Sequence, residues 1–137
     1  MSPHAAAERD GIEIDISSFK TPHTNNHLVI EGAGGLLVPL NDKDTILNLI
    51  ESLNCEVILV SRHYLGSINH TLMSIEALQQ RNITIKGILF NGKENKDTES
   101  IITKMSGVNI IGRIDELDHL NKSVINSVAQ NLKNKLI

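Results

Sequence analysis

In the run "VIEGAGGLLVPL" (residues 29–40) one carboxylate, Glu31, closes a short apolar stretch, and three of the next four residues are glycine. A carboxylate at the end of a buried strand is costly unless something positive holds it. Mg²⁺ suits that role, because it takes one or two carboxylates and fills its other positions with phosphate oxygens and water. The segment Gly32, Ala33, Gly34, Gly35 lets backbone N–H groups approach a ligand's oxygens with almost no side chain in the way. The alternative is a glycine-rich turn whose acid meets solvent or a lysine. The run is neither G-x-G-x-x-G nor a Walker A loop.

A second segment, "YLGSINHT" (residues 64–71), has Gly66 and Ser67 opening a helix. Unpaired N–H groups from Ser67 to Asn69 would then point outward and attract an anion, a carboxylate included. The alternative is that Ser67 caps the helix and binds nothing. Asn91, after "GILF" and before Gly92, places an amide at a strand end, where it can read the edge of a base; Asn-Gly is equally a plain turn. Asp115 and Glu116 follow the last apolar run and read most simply as caps of the final helix.

Other chemistries find little support. The six histidines include His23 and His27, four apart, but Pro22 and two asparagines oppose helical presentation. With one cysteine, no zinc ligand set of familiar spacing exists. Structural or surface roles are expected for all six, with His70 a candidate to orient the loop before its helix. No G-x-S-x-G nucleophile motif occurs. Cys55 reads as a small hydrophobe and cannot form an internal disulfide, which fits a reducing, cytoplasmic setting.

These residues need elements to hold them. The composition, 40% hydrophobic and 21% charged over 137 residues, is that of one ordinary globular domain. A net charge of -3 with 2% aromatics argues against nucleic-acid binding. No apolar run approaches the roughly 20 residues of a membrane span, and the first residues do not form a signal peptide.

The spacing predicts a helix over residues 4–10, capped by Ser2 with Pro3 at its first position and stopped by Gly11. A polar loop follows over 17–27, then a strand over 28–31, a turn over 32–35 and an extended piece over 36–40. A helix capped by Asp42 or Asp44 buries Ile46, Leu49, Ile50 and Leu53. Strands are expected over 56–60, 85–91 and 108–114. Helices follow each of them: one from Ser67 with Ile68, Leu72, Ile75 and Leu78 at helical spacing, one ended by Gly107, and a last one over about 117–136. Short apolar strands alternating with helices give an α/β fold with a parallel sheet buried on both faces. Ligands of such sheets bind beyond the carboxyl ends of the strands.

In this order, "SPHAAAE", "VIEGAGGLLVPL", "VILVSRHYLGSINHTL", "GILFNG" and "IIGRID" resemble the C-terminal part of the dethiobiotin synthetases, over nearly the whole chain. The resemblance implies a P-loop-type, doubly wound domain with a mostly parallel sheet, acting as a cytoplasmic homodimer. It implies closure of the ureido ring of dethiobiotin from 7,8-diaminononanoate, CO₂ and MgATP. By position, Glu31 would be a Mg²⁺ ligand. Gly32, Ala33 and Gly34 would line the ATP cleft, with Gly34 and Gly35 also meeting substrate. Asn91 and Gly92 would contact adenine, and Asp115, Glu116 and Leu117 would border the base pocket. Leu65, Gly66, Ser67, Ile68 and Asn69 would hold the substrate carboxylate, reaching into the partner subunit's site.

Two departures stand out. Asp115 occupies a position where the family usually has proline. The family's opening strand, Walker A loop and catalytic lysine have no counterpart here, and no G-x-x-x-x-G-K-[ST] occurs. The expectation is therefore an N-terminally truncated single domain over residues 1–137, with no catalytic residue of its own. Activity would need the missing segment, and unpaired strand edges and apolar faces would be exposed. The alternative expectation is a non-catalytic protein that binds an intact synthetase through its 65–78 helix.

Overall fold

The computed structural model describes residues 1–136. It separates into two compact units, Met1–Cys55 and Glu56–Ile137.

In the first unit, α1 (Pro3–Arg9) begins with proline at its first position, as the sequence predicts, although Ser2 makes no side-chain cap bond. Gly11 ends the segment in the left-handed region. After a 3-10 turn (Ile16–Ser18), α2 covers Ile46–Leu53. Its cap is Thr45 rather than Asp42 or Asp44: Asn48 Oδ1 accepts from the Thr45 N–H at 2.9 Å and from its hydroxyl at 2.7 Å. Asp44 instead closes the preceding turn. Asn41 Oδ1 accepts the N–H groups of Lys43 and Asp44, and the Asn41 amide donates to the Ile14 carbonyl at 2.8 Å. Ala7, Leu40, Ile46 and Leu47 are buried.

The strand expected over 28–31 does not form. Among the described residues those four pair with no other strand, and Val29 is 89% exposed. An apolar, β-prone sequence supplies only side chains; a strand also needs a neighbour to take its N–H and C=O groups.

The second unit alternates strand and helix: β1 (Val57–Arg62), α3 (Ser67–Gln80), β2 (Ile85–Asn91), α4 (Lys96–Ser106), β3 (Ile110–Ile114) and α5 (Lys122–Leu136). The three strands form one parallel sheet in the order β1-β2-β3, so this is an α/β fold consistent with a P-loop-type domain. The expectation of four strands is corrected to three. Ile88 and Phe90, two apart on the central strand, face Ile75 of α3, Ile102 of α4 and Val108 in a fully apolar core. Gly87 has no room for a side chain: a Cβ there would lie 2.6 Å from Ile111 Cγ1 and 2.9 Å from the Asn109 carbonyl. Burial on both faces is also corrected, since Ile58 and Val60 alternate outward from β1 and are exposed. β1 runs two residues beyond its apolar run. Ser61 and Arg62 pair in the ladder with Phe90 and Asn91, and the Ser61 hydroxyl is buried against that of Thr71 at 2.8 Å. α5 starts at Lys122 rather than near 117, because Asn121 Oδ1 takes the Val124 N–H and Asp115 and Glu116 cap nothing.

Candidate functional site at the carboxyl ends of the strands

Parallel strands that end together bring their last residues side by side. Arg62 pairs with Asn91, and Asn91 with Ile114. Gly92 turns the chain away from β2 with a φ of 98°, a conformation that suits glycine, while its N–H donates to the Ile114 carbonyl at 2.8 Å. A side chain on Gly92 would come within 3.9 Å of Glu116, which also lies 3.9 Å from Arg62. The structure therefore places Asn91, Gly92 and Glu116 together. The half-buried Asn91 amide makes no hydrogen bond among the described residues. Asp115 and Leu117 continue the same exposed loop.

The helix start at α3 differs in one detail from the sequence expectation. Gly66, with a φ of 98°, stands before the first turn, and the Ser67 N–H already donates to the Tyr64 carbonyl at 2.9 Å. Ser67 is buried and does not cap the helix. His70 Nδ1 meets the Tyr64 hydroxyl at 2.6 Å, so this histidine orients the loop before its helix. Leu65, Gly66, Ser67, Ile68 and Asn69 line an open groove of about 580 Å³, with Leu72 and Met105 supplying apolar wall.

In the first unit, Glu31 is exposed and makes no ion pair among the described residues. The carboxylate expected at a buried strand end therefore stands in solvent, because no strand forms over 28–31. The glycines have particular neighbours: a Cβ on Gly32 would meet Ile46 at 3.1 Å, and Gly34 has a φ of 88° with Val38 3.0 Å from its missing Cβ. Gly35 and Ala33 are open to solvent.

A second cluster escaped sequence reasoning. Glu99, in the first turn of α4, is buried. Its two oxygens accept from the two terminal nitrogens of Arg113, each at 2.5 Å. The same carboxylate meets His63 Nε2 at 2.9 Å and accepts the Asn95 N–H at 3.1 Å. His63 stacks on Phe90 with ring centroids 5.2 Å apart, and its Nδ1 is buried without a partner. Arg113 also lies 3.5 Å from Glu94 and 3.8 Å from Asp115. Its side-chain partners His63 and Arg113 are 36 and 14 residues away in sequence, so no local motif announces them; only the Asn95 N–H, four residues away, is local. One signal was present: Glu99 stands three residues before Ile102, on the buried stripe of α4.

Burial raises the Glu99 pKa, but the Arg113 fork, the Asn95 N–H, the His63 hydrogen bond and the Arg113 charge together outweigh it and hold it at about 2, below the ordinary 4.5. The Glu99 hydrogen bonds in turn raise the Arg113 pKa. For a depressed carboxylate, stability is fully present above the unfolded pKa and is lost as pH falls through the folded one. Between pH 4.5 and pH 2 the protein should lose on the order of 3 kcal/mol through this group. Denaturation midpoints over that range should fall more steeply for the native protein than for Glu99→Gln; parallel curves would disprove the assignment.

The model of the family described as "AAA domain" matches residues 1–124, and the chain belongs to that family. Curated proteins similar to the chain include dethiobiotin synthetases. It is 53% identical over 99% of its length to the ATP-dependent dethiobiotin synthetase BioD of Christiangramia forsetii. It is 48% identical over 96% to the protein of that name from Cytophaga hutchinsonii, and 45% identical over 95% to that of Brucella ovis. The chain spans 65% of the length of the first two and 62% of the third. No helix among the described residues is long and apolar enough to cross a membrane.

Proposed function

We propose that this chain is part of a cytoplasmic ATP-dependent dethiobiotin synthetase of biotin biosynthesis, acting as a homodimer. One amine of 7,8-diaminononanoate adds to CO₂ and loses a proton, giving a carbamate. A carbamate oxygen takes the γ-phosphoryl group and ADP leaves. The second amine attacks the carbonyl carbon and gives up a proton to solvent, phosphate departs and the ureido ring closes. Chemistry of this kind rests on positioning and on neutralising phosphate charge.

The observation that carries this reading is the meeting of Asn91, Gly92 and Glu116 at the carboxyl end of a parallel sheet, where such folds take nucleotides. The free Asn91 amide supports a contact with the adenine edge; the Gly92 N–H is already engaged, so Gly92 contributes close approach rather than a donor. Asp115, Glu116 and Leu117 border the base. The groove at Leu65, Gly66, Ser67, Ile68 and Asn69 suits an aliphatic acid: apolar wall for the methylene chain, helix start for the carboxylate. Glu31 would hold Mg²⁺ as a single carboxylate donor, which suits an ion that takes one or two carboxylates beside phosphate oxygens and water. The remaining ligands would be water and phosphate oxygens, and the ion would neutralise phosphate charge there. Gly32, Ala33, Gly34 and Gly35 present backbone to the phosphates and substrate.

With no G-x-x-x-x-G-K-[ST] in the chain, the rest of the phosphate cradle is assigned to a further polypeptide segment. The test is phosphate release dependent on diaminononanoate and bicarbonate, for the chain alone and with a polypeptide bearing a Walker A loop. Turnover is expected only in the second case, and Glu31→Ala should reduce it about 100-fold. Turnover by the chain alone, or an unchanged rate in Glu31→Ala, would overturn the proposal.

A further inference from the structure

Glu99 lies outside every contact proposed above, yet its carboxylate takes hydrogen bonds from Arg113 and Asn95 and meets His63. Its partners come from three strand ends. His63 is the first residue after β1 and stands two before Leu65. The Asn95 N–H belongs to the loop that Asn91 and Gly92 open. Arg113 is the penultimate residue of β3, two before Asp115. A buried ion pair is weak evidence for stability, because apolar packing of the same volume often does as well. This one also leaves His63 Nδ1 buried and unpaired, a further cost. What the arrangement supplies that apolar packing cannot is direction: a planar carboxylate holds a guanidinium fork, an imidazole and a backbone N–H at fixed angles.

We propose that Glu99 is a positioning residue, one buried carboxylate that fixes the β1–α3, β2–α4 and β3–α5 loops at once. The consequence for ligands rests on the functional reading above: the base contacts and the substrate-carboxylate contacts are registered by the same group. Loss of the charge should disturb both affinities together, whereas loss of the His63 arm should disturb only the substrate's.

Glu99→Gln keeps the volume and leaves Arg113 with Glu94 and Asp115 as partners. In the full-length enzyme it should raise KM for both MgATP and diaminononanoate about tenfold or more, with kcat changed less. His63→Phe, which keeps a ring on Phe90 but loses the Nε2 bond, should raise KM for diaminononanoate alone. A purely structural role would lower the melting temperature and the active fraction with both KM values unchanged, and that result would overturn the proposal. If Glu99→Gln fails to fold, His63→Phe decides: a change in both KM values or in neither refutes it. Hydrogen exchange separates this idea from the functional reading. Even if the native enzyme closes no ring, Glu99→Gln should speed exchange together at residues 64–66, 93–95 and 115–117 while Ile88 and Phe90 stay protected. Faster exchange in only one of those loops, or in none, sinks the proposal.

Discussion

Arg113→Met should destabilise the protein by about 3–5 kcal/mol, well beyond the cost of an ordinary surface substitution. The reason is what it leaves behind. Glu99 is buried and would keep only His63 and the Asn95 N–H. The reverse substitution costs less, because Arg113 is 18% exposed and retains two other carboxylates within 4 Å. The pH dependence should also weaken. In the native protein Arg113 depresses the Glu99 pKa, so acidification from pH 8 to pH 5 gains nothing from this group. Without Arg113, burial is opposed only by the Asn95 N–H and the His63 hydrogen bond, so the carboxyl's pKa is depressed less and less stability is lost as pH falls through its folded value. Acidification below pH 4.5 should therefore lower the variant's denaturation midpoint less steeply than the native protein's. The transition can be followed by circular dichroism and by Tyr64, the single tyrosine in a chain without tryptophan. Arg113→Lys keeps the charge but not the two-pronged geometry and should fall between. A loss below about 1 kcal/mol for Arg113→Met would mean that the pair contributes little.

Much of the second unit was legible because its local signals agree. The span of β2 follows from one apolar run bounded by polar loops, and α4 ends at Gly107, whose φ of 69° suits glycine. The strand ends at Asn91 and Ile114 were readable from sequence, and with them the positions of Asn91, Gly92 and Glu116, because all three depend only on where a strand stops. Residues 28–31 misled for the complementary reason. Their side chains satisfy the pattern of a strand, but pairing is a property of neighbours, which composition does not report. Ser61 and Arg62 erred in the other direction: polar residues continue β1 because Phe90 and Asn91 stand ready in the ladder. Thr45 outcompetes Asp42 and Asp44 because the cap is chosen by reach to Asn48, while Asp44 is committed to the Asn41 turn. The Glu99 cluster was the least legible, since three helix and loop segments must fold before its members meet.

Phe90→Ala should cost about 3–5 kcal/mol, against about 1 kcal/mol for Ile88→Val on the same face. Phe90 is fully buried on the central strand, heads the largest buried side chains and carries the His63 ring on its own. Relaxation is the usual escape from such a cost, and here it is restricted. The neighbours Ile75 and Ile102 sit on two helices, themselves fully buried, while Ile88 is fixed in the ladder. Water is the other escape. A water needs two to four polar partners to enter a cavity, and Ile75, Ile88, Ile102 and Val108 supply none. The void should stay dry and the full penalty should be felt. It should also loosen His63 without touching Arg113, so the Glu99 acid transition survives while the β1–α3 loop exchanges its amides faster. A loss under about 1.5 kcal/mol would show that α3 and α4 close over the gap, and the picture of a sheet face clamped rigidly by two helices would then be wrong.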